Sequence, residues 1–136
     1  MDTVTLRPFS LADADVMMTW ASDPVVTAFM TWEPYTSREP LLAFIRDTLC
    51  VVVARAHWGK GVATAALKQA VAAVFGDLDG VERIEALVDA ENAASQRALE
   101  KAGFTREAVL RSYCVVKGRL RDMVVYSFIS TDPLVE

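Results

Sequence analysis

Two stretches of this chain bring together residue types that chemistry can use. Trp58-Gly59-Lys60-Gly61 follows an apolar, β-branched run from Leu49 to Ala54 and precedes an apolar stretch from Val62 to Phe75. A strand that feeds a glycine turn and then a helix start aims several free backbone N–H groups at one spot. The positive end of the helix dipole adds to the attraction for phosphate there. Gly59 and Gly61 let the backbone approach a ligand with no Cβ in the way. An ordinary glycine turn reads the same, so the pair alone leaves both readings open. Neither common phosphate motif fits. A Walker loop needs Gly-x-x-x-x-Gly-Lys-Ser/Thr, and a dinucleotide fingerprint needs a third Gly or Ala where Thr64 stands.

The second stretch runs from Asp89 through Asn92, Ser95, Leu99, Glu100, Lys101 and Gly103 to Phe104. Helical spacing puts Ser95, Leu99 and Ala102 on one face and turns Arg97, Glu100 and Lys101 toward solvent. An inward serine needs a partner, which a helix carbonyl, a water or a ligand can supply. Asn92 is most simply an N-cap.

These residues need elements to hold them. Val4 to Arg7 alternates and stops at Pro8, as a short strand does. Ser10 caps a helix over Leu11 to Ala21, which Asp23-Pro24 ends. A loose apolar stretch, Val25 to Trp32, follows. Ser37 caps a second helix with Glu39-Pro40 in its first turn and Leu41, Leu42, Phe44 and Ile45 on its apolar side. Leu49 to Ala54 reads as a strand buried on both faces. Val62 to Phe75 is a helix so rich in Ala, Val and Leu that little of it is expected to face water. Glu82 to Val88 alternates as a strand, and Asn92 opens a helix to Ala102 with Gly103 at its C′ position. Phe104 to Leu110 and Leu120 to Ile129 read as closing strands joined around Lys117-Gly118-Arg119.

Composition narrows the function. At 136 residues the chain is sized for one domain, residues 1–136, and 53% hydrophobic with 24% charged residues is a globular balance. A net charge of -4 argues against a nucleic-acid partner. The apolar segments are interrupted by Arg46-Asp47 and Lys68-Gln69, which excludes a membrane-spanning helix in this reading. The N-terminus lacks the pattern of a signal peptide, and Cys50 and Cys114 both sit in apolar runs, so a reducing, cytoplasmic location is expected. One histidine, His57, and two separated cysteines build no standard zinc site, and no metal is expected.

Taken together, the two stretches resemble the GNAT superfamily of acyl-CoA N-acyltransferases, especially the branch of ribosomal-protein N-terminal acetyltransferases. The family's pyrophosphate motif, Gln/Arg-x-x-Gly-x-Gly/Ala, is matched by Trp58-Gly59-Lys60-Gly61-Val62-Ala63, with Trp58 where Gln or Arg is usual. The downstream Asn-x-x-Ser…Glu-Lys-x-Gly-Phe signature is matched by Asn92, Ser95, Glu100, Lys101, Gly103 and Phe104. The resemblance implies an α+β fold with a mixed central β-sheet flanked by helices on both faces. It implies acetyl-CoA as co-substrate and direct attack by a primary amine, from a protein N-terminus or a small molecule. The pantetheine arm would pair with Val52, Val53 and Ala54 like an added strand. The pyrophosphate would rest on Trp58, Gly59, Lys60, Gly61, Val62, Ala63 and Thr64, with Asn92 also on the cofactor side. Ser95 matches the branch's acid or thiol contact, and Leu99 stands where many relatives carry a tyrosine.

The resemblance has one departure. Relatives carry an antiparallel hairpin between the second helix and the cofactor strand. Here the helix is read to end near Asp47-Thr48 and the strand to begin at Leu49-Cys50, so the second and third strands of the fold are missing. Two consequences are expected. The cofactor strand becomes an apolar edge that the first strand or a second copy of the chain would cover, making a homodimer. No carboxylate stands at Thr48 or Leu49 to accept the amine's proton, which leaves Glu85 and Asp89 as substitutes. The alternative functions are a catalytically idle domain of this type that binds CoA or a protein partner, and a dinucleotide-binding fragment.

Overall fold

A computed structural model describes residues 5, 7, 10–30, 33–41 and 57–136. Strands β1 (Arg83–Asp89), β2 (Thr105–Val116) and β3 (Arg119–Ile129) form an antiparallel sheet in the order β1-β3-β2. Alternation along β3 decides which face is buried. Val124, Tyr126 and Phe128 point to one side and are almost fully buried. Across β1 they pair in register with Val88, Ala86 and Ile84. Helices α2 (Val62–Asp77) and α3 (Ala93–Lys101) supply Val71, Leu99 and Ala102 to the same core. Phe128 sits at its centre, with the rings of Phe75 and Phe104 at 5.9 and 5.6 Å.

Most of the expected elements that fall within the described residues are present, with two revisions. The strand expected over Phe104 to Leu110 continues to Val116. Register shifts occur at Arg106/Ala108 and at Leu110/Cys114; the second absorbs the polar Arg111-Ser112 step, where the Ser112 N–H donates to Asp122 Oδ1 at 2.7 Å. Helix α2 is less covered than its composition suggests. Ala66 and Val71 are buried and Leu67 and Phe75 pack on the core, but Ala72 and Ala73 are exposed. Alanine favours the helix without demanding burial. Cys114 is free and half-buried, while Cys50 lies outside the described residues.

A second, smaller cluster forms near the N-terminus. The expected helix begins as a 3-10 turn, Leu11–Asp13, and continues as α1 (Ala14–Ala21). The Ser10 backbone N–H donates to the Asp13 carboxylate at 2.8 Å, half of a capping box. Ala14, Met17, Trp20 and Ala21 of α1 pack with Val26 and the fully buried Leu41. Residues 38–41 are helical, where Ser37 was expected to start a helix. Lys117 Nζ donates to the Thr27 carbonyl at 2.5 Å, and the Arg121 guanidinium lies 5.9 Å from the Phe29 ring centroid. These contacts join the N-terminal segment to β3 and to the turn before it.

The mixed character of the sheet rests on Leu49–Ala54, which lies outside the described residues, as do Val4 and Leu6 of the expected first strand. The three described strands are antiparallel. The face of the sheet away from α2 and α3 carries an ionic ladder instead of a core. Arg83 pairs with Glu85 at 2.7 Å and with Glu107 at 2.5 Å, and the buried Ser127 hydroxyl donates to Glu107 Oε1 at 2.7 Å. Arg83 and Ser127 hold the Glu107 carboxyl down to about 2. A depressed folded-state value means stability that is present above the unfolded value of 4.5 and lost as pH falls toward about 2. Thermal melts across that window should show the loss in the parent chain, and Glu107→Gln should flatten it.

Candidate functional site

The turn from His57 to Gly61 leads directly into α2. Gly59 and Gly61 have φ of 71° and 74°, the left-handed region that glycine enters without strain. Gly61 is the N-cap of α2, and its carbonyl accepts the Ala65 N–H at 3.0 Å. The N–H groups of Val62, Ala63 and Thr64 fall in the first helical turn and have no intrahelical acceptor. Gly61 and Thr64 of this turn line a cleft of about 570 Å³, together with Ala65, Lys68, Gln69 and Ala72 of α2, Lys101 of α3, and Val135 and Glu136.

Thr64 and Lys68 share a helix face at four-residue spacing, which places the ammonium one turn beyond the free N–H groups. Lys68 Nζ donates to the Glu136 carbonyl oxygen at 2.8 Å. Lys101 across the cleft adds a second cation to the helix N-terminus, and Glu136 adds one anion to the same lining; a phosphate would compete with Glu136 for Lys68. Sequence reasoning missed Lys68. Its signal was present as the one cation in the apolar stretch from Val62 to Phe75, set on the face of Thr64. Helical spacing turns Lys101 toward solvent and gives no sign that it meets Lys68.

The structure brings only some of the expected residues to this cleft. Gly61 and Thr64 line it. Trp58, Gly59, Lys60, Val62 and Ala63 belong to the same turn but not to the lining, and Trp58 is half exposed. Val52, Val53 and Ala54 lie outside the described residues. Asn92 and Ser95 stand at the opposite end of α3 from Lys101 and do not line the cleft.

Asn92 is the N-cap, as its type suggests: its Oδ1 accepts the Ser95 N–H at 3.2 Å. Replacing Asn92 by alanine should cost about 1 kcal/mol, read as a lower midpoint in thermal unfolding. Ser95 is half-buried, and among the described residues its hydroxyl makes no hydrogen bond. The back-bond to the helix that would explain an inward serine is therefore not formed here. The hydroxyl remains available to a ligand.

Neither substitute base is free. Glu85 is exposed and engaged by Arg83. Asp89 is buried at 5% exposure and held by Arg121, with Nε to Oδ2 at 2.7 Å and Nη2 to Oδ1 at 2.6 Å. Burial alone would raise the Asp89 carboxyl, but Arg121 and the Glu91 N–H outweigh it and hold the group below its ordinary value. A carboxylate so stabilised is a poor proton acceptor. Among the described residues no group of three metal-binding side chains comes together, and no helix is long and apolar enough to cross a membrane.

A family model for the acetyltransferase (GNAT) domain matches residues 48–105, which contain both the glycine turn and the Asn92–Phe104 signature. The uncharacterized N-acetyltransferase p20 of Bacillus licheniformis is 29% identical over 170 residues, covering 96% of this chain and 95% of the relative. A crystal structure of a GNAT-family acetyltransferase from Bacillus anthracis superposes with a TM-score of 0.81 at 18% identity, over 90% of this chain and 92% of that one. Spermidine N-acetyltransferase from Vibrio cholerae, solved in complex with CoA and spermine, superposes at 0.78 with 20% identity, over 94% and 96%. The solved structures show that the chain has the GNAT fold, and its residues 48–105 match the model of the acetyltransferase (GNAT) domain.

Proposed function

We propose that this chain is a single-domain, acetyl-CoA-dependent N-acetyltransferase acting on a primary amine. The observation that carries the reading is the α2 N-terminus, opened by Gly59 and Gly61 and set on a cleft that Lys68 and Lys101 line. The pyrophosphate of acetyl-CoA would accept hydrogen bonds from the Val62–Thr64 turn, and the lysines would balance its charge. The neutral amine attacks the thioester carbonyl, and the C–S bond breaks as the amide forms. Ser95, with its hydroxyl uncommitted, is the donor to the departing thiolate. With Glu85 and Asp89 both held by arginines, the amine's proton leaves to water.

Two finer points belong to the same reading. The alignment to p20 runs over 170 residues, longer than the 136 of this chain. That difference supports a shortened chain and is compatible with a lost hairpin before residue 49. The solved relative that binds CoA with spermine supports a small cationic amine as acceptor, alongside the protein N-terminus suggested by the ribosomal-protein branch.

The test is thermal unfolding with rising acetyl-CoA, followed by thiol release with a panel of polyamines and N-terminal peptides. A midpoint that climbs with ligand, and thiol release that depends on one acceptor class, is the expected result. A cooperative transition unmoved by acetyl-CoA would overturn the reading.

A further inference from the structure

The loop Asp89–Asn92 joins the end of β1 to the start of α3, and its polar groups converge on one side chain of β3. Arg121 is buried at 8% exposure. Its guanidinium grips Asp89 through two parallel hydrogen bonds and reaches Glu91 Oε2 with Nη2 at 2.8 Å. Asp89 Oδ1 also accepts the Glu91 N–H at 2.8 Å, and the Asp89 carbonyl accepts the Asn92 N–H at 2.9 Å. The Ala90 N–H donates to the Asp122 carbonyl at 3.0 Å, and the Ala90 carbonyl accepts Gln96 Nε2 at 2.9 Å. Each backbone N–H from Ala90 to Asn92 thus has a fixed partner. From Asn92 the chain of contacts passes through its Oδ1 to the Ser95 N–H.

A buried ion pair is weak evidence for stability, because an apolar pair of similar volume often serves as well. A planar fork, however, sets direction as well as distance. We infer that Arg121 is a positioning residue: it fixes the Asp89–Asn92 turn and, through the Asn92 cap, the setting of Ser95. Its guanidinium also lies 5.9 Å from the ring centroid of Phe29 in the N-terminal segment. The inference deepens the proposed acetyl transfer and rests on it for the role of Ser95.

Amide hydrogen exchange by NMR on the parent chain, Arg121→Lys and Arg121→Met tests it, together with steady-state kinetics on the best acceptor. Lysine keeps the charge but loses the fork. In Arg121→Lys, exchange at Ser95 and Gln96 should quicken about tenfold while the amides of α2 keep their protection. In the kinetics, kcat should fall about 100-fold with KM for acetyl-CoA unchanged, because the pyrophosphate turn is untouched. Unchanged exchange at Ser95, or a uniform rise across all helices, would overturn the positioning role. So would a kcat that merely follows the melting midpoint in both variants. If Arg121→Met does not fold, Arg121→Lys decides alone. The exchange measurement needs no substrate, so a parent chain that fails to bind acetyl-CoA would sink the acetyltransferase reading without touching this one.

Discussion

Gly61→Val should raise the Kd for acetyl-CoA about 100-fold, equivalent to about 2.7 kcal/mol. Gly61 holds φ of 74° at the N-cap of α2 and lines the cleft. A β-branched residue there costs about 1–2 kcal/mol in backbone strain. It relieves that strain by turning the peptide and with it the first free N–H groups of the helix. Each charge-assisted hydrogen bond lost to a phosphate costs about 1.5–3 kcal/mol, so one misdirected donor accounts for most of the effect. Gly80→Val is the matched control. Gly80 has φ of 77°, and a Cβ there meets nothing within 4 Å. It should lose similar stability and keep its affinity. Titration calorimetry on both variants decides the matter: equal Kd values would mean that the Gly61 turn does not hold the cofactor.

Phe128→Ala should cost about 3–5 kcal/mol of stability, lowering the melting midpoint by about 10–20 °C. Phe128 is 1% exposed on the central strand, and its ring is shared by Phe75 of α2 and Phe104 just after α3. It also lies under Gly103, where a Cβ would come within 3.1 Å of the ring and 2.8 Å of Val135. Removing the ring leaves a cavity that α3 cannot move in to close, because it is held to the sheet elsewhere. Tyr126, for example, donates to Glu100 of α3 at 2.9 Å. Calorimetry should record the loss, and Phe128→Leu, which keeps most of the volume, should lose less. A midpoint within a few degrees of the parent would mean that α2 and α3 do not depend on this shared anchor.

The elements of the second half were legible because their signals are local. Asn92 caps α3 through its own Oδ1, Gly103 ends the helix at φ of 95°, and the alternation from Glu82 to Val88 sets Ile84, Ala86 and Val88 on the core side of β1. The Gly59–Gly61 turn was legible for the same reason, since glycine at a positive φ leaves its mark in the residue type. Ser95 could be singled out by helical spacing as an inward hydroxyl, but not its lack of a partner among the described residues.

What only the tertiary structure decided depends on residues far apart in sequence. Arg121 and Asp89 are 32 positions apart, and no periodicity says that a guanidinium will close over that carboxylate and remove it as a base. Lys68 and Lys101 lie on different helices, and they line one cleft only because α2 and α3 pack on the same face of the sheet. Ion pairs are chosen by three-dimensional proximity and by what burial would otherwise cost, and neither is written in spacing. The sequence by itself determined which local backbone shapes this chain adopts, because caps, turns and alternation act within a few residues. The fold decided which charges meet, and so which of the candidate groups stay free to react.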